Sequence, residues 1–296
     1  MRGLTFTPLT ETFAAEVSGV DLRKPLRDQE AEAIRQALAQ HSVLVFRKQH
    51  IDTEQHLAFV RIFGPIETTP SRKAVGIDEP VRIIDRSVFK GADGSASAEP
   101  KPDEGYMLWH VDDSYFPKIP KVATLRPASL SPDGGDTQWA NMAAVLDSLS
   151  PEMQQWLEKL EGVNSAPQRL RADLGLTSQP EEVRRRYEEQ SVYLHPMVIR
   201  HPESGRKSLF ANPMFTTAVD RLSPRESEML LHFLYTEATR ADFLYRHRWE
   251  MGDLVVWDEL STIHRGPPDV PEERALVRIY AGLIAPTAAG ATRRAA

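Results

Sequence analysis

His110-Val111-Asp112, inside the run YMLWHVDDSYF (106–116), offers an imidazole and a carboxylate two positions apart. In an extended strand, residues i and i+2 face the same side, so the two groups can converge on one metal ion. The spacing alone decides little. With 9 histidines in 296 residues, about half of one His-x-Asp is expected by chance. The chain in fact holds a second, His50-Ile51-Asp52. That pair ends a VLVFRKQ strand and precedes TEQHLAF, where Asp52 or Thr53 can cap a helix and Gln55 stands three after Asp52. Capping is the better reading there. For His110 and Asp112, a metal site and an accident of spacing remain open on this ground.

A third candidate ligand follows much later. GDLVVWDELSTIHRGPPD (252–269) supplies a strand, a turn at Asp258-Glu259, and His264. Two histidines and one carboxylate, with three coordination positions left open, make the facial triad of non-haem Fe(II) oxygenases. Taken alone, His264 reads equally as a surface or turn residue. RALVRIYAGLI then places Arg274 and Arg278 four apart, on one face of a strand with Leu276 and Tyr280. Arginines on a strand destined for the core need anionic partners. A dicarboxylate co-substrate would supply one, because the guanidinium fork matches a carboxylate bidentately; the protein's own acids are the alternative. Thr137, after the Asp133–Asp136 turn, could add a hydroxyl, though alone it is an ordinary strand threonine.

These groups need elements to hold them. VSGVDLRKPL (17–26) reads as a strand end and turn, and DQEAEAIRQALAQ (28–40) has the apolar spacing of a helix. SVLVFR (42–47) predicts a short buried strand, and TEQHLAFVRIFG (53–64) a helix ending at Gly64. Strand-like runs then dominate: YMLWHVD, VATLRPA, TQWAN, SVYLHPMVIR, KSLFAN, DLVVWD and RALVRIYAGLI. Turn signals such as Pro132-Asp133-Gly134-Gly135 and Pro202-Glu203-Ser204-Gly205 separate them. Helices interrupt at about 141–160 and, after Ser223-Pro224, at about 224–238. Many strands with a few peripheral helices predict a mainly β fold, a sandwich or barrel of the jelly-roll class, as one domain over 1–296. Residues 90–105 (KGADGSASAEPKPDEG) and 165–190 are polar and predict mobile loops that could act as lids.

Composition narrows the chemistry. A net charge of −6 gives no basic footprint, so nucleic acid is not an expected partner. No apolar run approaches a membrane span. The start, MRGLTFTPLTETF, has no signal-peptide apolar stretch, and a cytoplasmic location is the expectation. The chain has no cysteine, which excludes disulfides, thiolate nucleophiles, Cys-ligated zinc and iron–sulfur clusters. Any metal must be held by histidine and carboxylate. The partner is a small molecule; a homo-oligomer stays open.

In combination, Trp109-His110-x-Asp112, Gly134-Gly135-Asp136-Thr137, Trp257-Asp258 before His264, and Arg274 with Arg278 resemble the Fe(II)/2-oxoglutarate-dependent taurine dioxygenase family. That family also includes alkylsulfatases and phenoxyalkanoate herbicide dioxygenases. LHPMVIRHPESGRKSLFAN (194–212) is similar to a family hairpin signature, so His195 and His201 read as structural turn residues. The resemblance runs from Gly19-Val20-Asp21-Leu22 to Leu283. It implies a double-stranded β-helix (cupin-like jelly roll) and an enzyme that binds iron through His110, Asp112 and His264. It implies that Thr137 and Arg274 hold the distal carboxylate of 2-oxoglutarate, and that Arg278 lies near its chelating end and touches an acidic substrate. The implied reaction consumes 2-oxoglutarate and O2, hydroxylates a substrate carbon, and releases succinate and CO2.

The sequence also departs from that family. Glu259 stands where the family usually has Asn. Asp113 adds a second acid, expected to point to the opposite strand face and not to ligate. Taurine enzymes place a His soon after the Phe-Gly of the early helix and an Asn four before the first ligand; Thr69 and Tyr106 stand there. The expected substrate is therefore a small organic anion other than taurine. Thr69, Arg72, Tyr106, Phe215 and Arg278 are the candidate substrate residues, with Trp109 as a further apolar wall. A zinc hydrolase with the same triad, or a non-catalytic β-sandwich binding protein, is the competing reading; either leaves the arginines without a task.

Overall fold

The computed structural model describes residues 3–85, 108–131, 135–167, 174–266 and 273–290. Its largest sheet has eight strands: β1 (Thr5–Pro8), β2 (Ala15–Ser18), β3 (Val43–Phe46), β4 (Ile66–Glu67), β5 (Arg82–Ile84), β6 (Ile119–Ser129), β14 (Leu254–Asp258) and β16 (Ala275–Ile284). They run in the order β1-β2-β3-β14-β6-β16-β4, with β5 also paired to β16. The alternation of β3 shows how this sheet is covered on both faces. Leu44 and Phe46 point to a cluster shared with Val256, Val277 and Ile279, which α1 (Asp28–His41) closes with Ile34, Ala37 and Leu38 and α2 (Thr53–Val60) closes with Phe59 and Val60. Val43 and Val45 point the other way, to Leu125, Val255, Trp257, Leu276 and Tyr280.

Trp139 and Tyr245 complete that second cluster from another sheet. The small sheet is β13 (Leu244–His247), β7 (Thr137–Asn141) and β15 (Thr262–Arg265), in the order β13-β7-β15. The Trp139 ring meets Trp257 edge-on at 5.4 Å between centroids, an arrangement that aromatic quadrupoles favour. Two sheets therefore face each other across a core of large side chains, and the fold is a jelly roll with peripheral helices. Two smaller sheets flank it: β12 (Thr216–Val219), β8 (Glu161–Ser165) and β9 (Val192–Pro196) in the order β12-β8-β9, and the hairpin β10 (Val198–Arg200) with β11 (Lys207–Leu209).

Expectation and structure differ in three places. The helix expected over 141–160 is two helices, α4 (Met142–Ser148) and α5 (Pro151–Leu157), because Ser150 and Pro151 restart the chain with a new cap. The expected loop at 165–190 contains a helix, α6 (Glu181–Gln190), which hides Tyr187 and exposes its charged residues. Over its described part, residues 108–112, the run YMLWHVD is not a continuous strand. His110 makes one bridge to His264, and the chain then turns. The expected loop at 90–105 lies outside the described residues. The helix after Ser223-Pro224 is α7 (Pro224–Ala238), capped by the Ser223 hydroxyl on Glu226 N–H. No helix is long and apolar enough to cross a membrane among the described residues.

Candidate active site

His110 and His264 stand side by side because their backbones exchange two hydrogen bonds, each 2.9 Å. The pair extends the β13-β7-β15 sheet by one bridge, and directly opposed residues put their side chains on the same face. Their rings lie 4.2 Å apart between centroids. Nδ1 of His110 is 2.8 Å from the Leu108 carbonyl, which fixes a proton there and leaves Nε2 as the free lone pair. That Nε2 is 3.5 Å from Asp112 Oδ1. Asp112 Oδ2 is 3.7 Å from His264 Nε2. One ligand atom from each residue lies within 4.8 Å of those of the other two, a set that fits one divalent ion.

A test of that fit is the hydrogen-bond state of His264. It is 1% exposed, yet neither of its ring nitrogens has a hydrogen-bond partner. Buried polar groups left unpaired cost about 1–3 kcal/mol each, so the ring is placed for something else. Its pKa is held well below the ordinary value, first by burial and then by His110, which keeps it a neutral lone-pair donor.

Asp112 reaches the site by a route the spacing does not predict. It sits in a turn, and Asp113 after it adopts φ +55°, a left-handed conformation that Asp tolerates better than most residues. The turn is held from outside. The Asp113 carboxylate accepts the Ser71 N–H at 2.7 Å and the Tyr115 hydroxyl at 3.3 Å. Ser71 belongs to the short helix α3 (Pro70–Ala74), with the buried Thr69 as its N-cap. Asp113 thus does not simply face away: it ties α3 to the turn that carries Asp112. Tyr115 lies 3.4 Å from the Tyr187 hydroxyl of α6, so the same tie extends to that helix.

Electrostatics single out Asp112 as the ionised acid. Burial alone would raise it, but Arg278, His264 and His110 hold its pKa well below the carboxylate range. Arg278 Nη1 contacts both its oxygens and Tyr280 donates its hydroxyl to Oδ2 at 3.0 Å. Glu259 goes the opposite way. Burial, then the Asp112 charge, push it well above the ordinary value. It accepts Trp257 Nε1–H at 2.9 Å and the Asp112 N–H at 3.1 Å, and its Oε2 is 3.9 Å from His264 Nδ1. The acid that replaces the family's usual Asn therefore braces His264 and Asp112 from behind, its pKa pushed up by burial.

Arg274 is 2% exposed, and no ion pair engages it among the described residues. Its Nη2 is 3.5 Å from the Thr137 hydroxyl, its Nε has no partner, and Trp249 donates Nε1–H to the same hydroxyl at 3.0 Å. Burial, then Arg278, lower its pKa to about 10, so it stays charged and unmatched. Gly135 makes room for it. With φ +107°, it approaches so closely that a Cβ there would lie 2.4 Å from Arg274 Cδ. A buried guanidinium with a hydroxyl beside it and no acid to match fits the far carboxylate of a dicarboxylate.

The other expected residues divide clearly. Phe215 meets the His110 ring edge-on at 6.1 Å. Arg72 is largely buried near the site, its nearest acid being the exposed Glu79 at 3.6 Å. Tyr106 lies outside the described residues. Asp52 caps α2, and accepts the Gln55 N–H at 2.8 Å; His50 fills the space beside Gly252. His195 donates its Nε2–H to the Phe116 carbonyl at 2.9 Å. His201 accepts the Glu203 and Ser204 N–H groups at Nδ1 and faces Asp258 at 3.0 Å through Nε2. With both nitrogens engaged, the His201–Glu203–Asp258 group is a hairpin anchor. Tyr280 and Ser71 were missed; Tyr280's signal was its place two residues after Arg278, on the same strand face. Nothing local to Ser71 marks it.

Comparison with known proteins agrees with this geometry. The model of the "Taurine catabolism dioxygenase TauD, TfdA family" matches residues 5–280. The alpha-ketoglutarate-dependent 2,4-dichlorophenoxyacetate dioxygenase of Cupriavidus pinatubonensis is 35% identical over 279 residues, covering 92% of this chain and 95% of that protein. The alkylsulfatase of Acinetobacter baylyi is 32% identical over 289 residues, covering 93% and 83%. Among solved structures, AAD-2 in complex with Mn(II) and N-oxalylglycine superimposes with a TM-score of 0.77 at 30% identity, covering 97% of this chain and 100% of that one. With the sheets, the three converging ligands and the match over nearly its whole length in agreement, the chain belongs to the TauD, TfdA family of dioxygenases.

Proposed function

We propose that this chain is a non-haem Fe(II)- and 2-oxoglutarate-dependent dioxygenase that hydroxylates a small organic anion other than taurine: a carboxylate, sulfonate or sulfate ester with an apolar body. His110, Asp112 and His264 would hold the iron. Thr137 and Arg274 would hold the distal carboxylate of 2-oxoglutarate. Arg278 would serve the chelating end of the co-substrate and the substrate's charge. The chemistry such a centre supplies when loaded is oxidative: with O2, 2-oxoglutarate becomes succinate and CO2 as a substrate C–H bond becomes C–OH.

The protein's own part is placement. The Leu108 carbonyl fixes the His110 tautomer. Arg278 and Tyr280 keep Asp112 ionised, and a carboxylate has about four lone-pair sites, enough to serve them and an ion together. Trp257, its ring tilted at 57° to that of His264 with centroids 4.9 Å apart, and Glu259 exclude water behind the ligands. Phe215 offers an apolar wall on the side of His110. The observation that carries the reading is His264, an unpartnered buried imidazole facing Asp112 and His110. A hydrolytic metal site would leave Arg274 without a role.

The anionic substrate is supported by relatives named for 2,4-dichlorophenoxyacetate and alkyl sulfate ester chemistry. Against taurine stands Thr69, a short buried hydroxyl paired at 3.1 Å with Ser71 Oγ, where the taurine enzymes place a histidine. We take the described residues as one domain, with the cytoplasm as its setting. The test is succinate release with taurine beside alkyl sulfates, alkyl sulfonates and aryloxy acids. Stimulation by at least one acid class, with little by taurine, is expected. Efficient taurine turnover, or activity confined to neutral or cationic compounds, would contradict the reading.

A further inference from the structure

We propose that Arg82, on the strand beside Arg278, is a specificity-determining residue that, with Arg72, holds the anionic head group of the substrate. The proposal rests on the anionic-substrate reading above and deepens it. β5 pairs with β16 so that Arg82 stands directly opposite Arg278, Ile83 opposite Val277 and Ile84 opposite Leu276. The alternation fixes its face. Ile83 is 47% exposed, whereas Ile84 packs on the inner cluster with Leu276 and Tyr280. Arg82 therefore shares the inner face with Arg278.

Directly opposed residues on one sheet face hold their Cβ atoms about 4.5–5.5 Å apart, and like charges so placed repel. An arginine opposite an arginine is a cost unless an anion lies between them. No hydrogen bond or ion pair engages the Arg82 side chain among the described residues. Arg72 brings a third guanidinium from α3. Its side chain is 16% exposed, its Nε has no partner, and its one acid, Glu79, is 77% exposed. The charges sense each other: burial first and Arg82 second lower the Arg72 pKa, and Arg82 also acts on the Tyr280 hydroxyl.

Counter-charge is short. Asp112 already serves Arg278 and is the carboxylate offered to the metal. Glu259 is taken up by the Trp257 Nε1–H and the Asp112 N–H. Arg274 answers to the co-substrate. Arg72 and Arg82 are left as surplus positive charge beside Arg278, which is the field of a site that draws in an anion. Guanidinium forks suit carboxylate and sulfate oxygens alike, so both head groups enter the test.

The experiment uses the iron-loaded protein with 2-oxoglutarate under anaerobic conditions. The visible charge-transfer band of the co-substrate complex reports the parent reading by itself. Calorimetric titration with hexyl sulfate and with hexanoate then reports the subsite. Whichever probe binds wild type more tightly should bind Arg82→Gln at least tenfold more weakly, and Arg72→Gln likewise. Arg82→Lys should fall between wild type and Arg82→Gln, since the charge is kept but the planar fork is lost. The band should be unchanged in all three, which also shows that they fold. Equal affinity of the probe for wild type and Arg82→Gln would overturn the proposal. So would a wild type that forms the band but binds neither probe, while leaving the co-substrate reading intact.

Discussion

Arg278 Nη1 lies 3.0 Å from Oδ2 and 3.2 Å from Oδ1 of Asp112, although 166 residues separate them. The residue that the family resemblance links to substrate and co-substrate is thus also the counter-ion of Asp112, a proposed metal ligand. Arg278 is 8% exposed and Asp112 9%. Burying two charges is costly unless they are paired and hydrogen-bonded; here each has the other, and Tyr280 bonds both. One consequence is that the site is preformed: Asp112 is ionised and aimed before any ion arrives.

The ligand assignment separates the two His-x-Asp pairs. His110→Ala, Asp112→Ala and His264→Ala should each abolish turnover and lower iron affinity, measured by equilibrium dialysis. His50→Ala and Asp52→Ala should keep both, with Asp52→Ala costing about 1 kcal/mol of stability through the lost helix cap. Loss of iron in the His50 variant, with His110→Ala still active, would reverse the assignment.

For the co-substrate, Arg274→Ala should weaken 2-oxoglutarate binding by about 10- to 150-fold, the loss of a charge-assisted pair worth roughly 1.5–3 kcal/mol. Lysine should rescue only partly, because it lacks the planar fork. Gly135→Ala should reproduce the defect, since its Cβ would fall 2.4 Å from Arg274 Cδ. Unchanged 2-oxoglutarate affinity in both variants would assign Arg274 another partner.

How far the sequence revealed all this depends on how local each signal is. The Asp52-to-Gln55 box and the Ser223-Pro224 start are written within four residues, and both elements form as expected. Arg274 and Arg278 stood out because charged side chains sat in an apolar strand run, whereas His264 was drawn in as the third member of a ligand set. The turn at Asp112 was not legible: Asp113 holds its left-handed backbone through Ser71, 42 residues away. Nor was Arg82, whose importance comes only from its register against Arg278. The helix α6 was hidden for a similar reason. Eight of its ten residues are charged or polar, too few apolar positions for a stripe, and Tyr187 is its one buried anchor.

Asp113 predicts a pH dependence in the metal-free protein. Burial, as the largest cause, pushes its carboxyl up to about 6 from 3.8. The folded state therefore takes up a proton between about pH 4 and 6, and stability must fall as pH rises through that window. Asp113→Asn removes this titration. Denaturant unfolding should show the stability advantage of wild type over the variant shrinking by up to about 3 kcal/mol from pH 4 to 7. Parallel pH profiles would contradict the buried-acid account.

Glu259 supplies a contrast between isostere and truncation. Glu259→Ala leaves the Trp257 and Asp112 N–H groups without an acceptor, at about 1–3 kcal/mol each, and should loosen iron binding. Glu259→Gln keeps one acceptor and a neutral side chain, so it should fall between Ala and wild type in both stability and iron affinity. A Gln variant worse than Ala would mean that Glu259 acts as a charge.

The account stands most directly on one anaerobic titration. Fe(II) and 2-oxoglutarate added to the pure protein should produce a weak visible charge-transfer band in wild type. The band should be absent in Asp112→Ala and should need far more 2-oxoglutarate in Arg274→Ala. No band in wild type at saturating iron and co-substrate, or an equal band in Asp112→Ala, would contradict it.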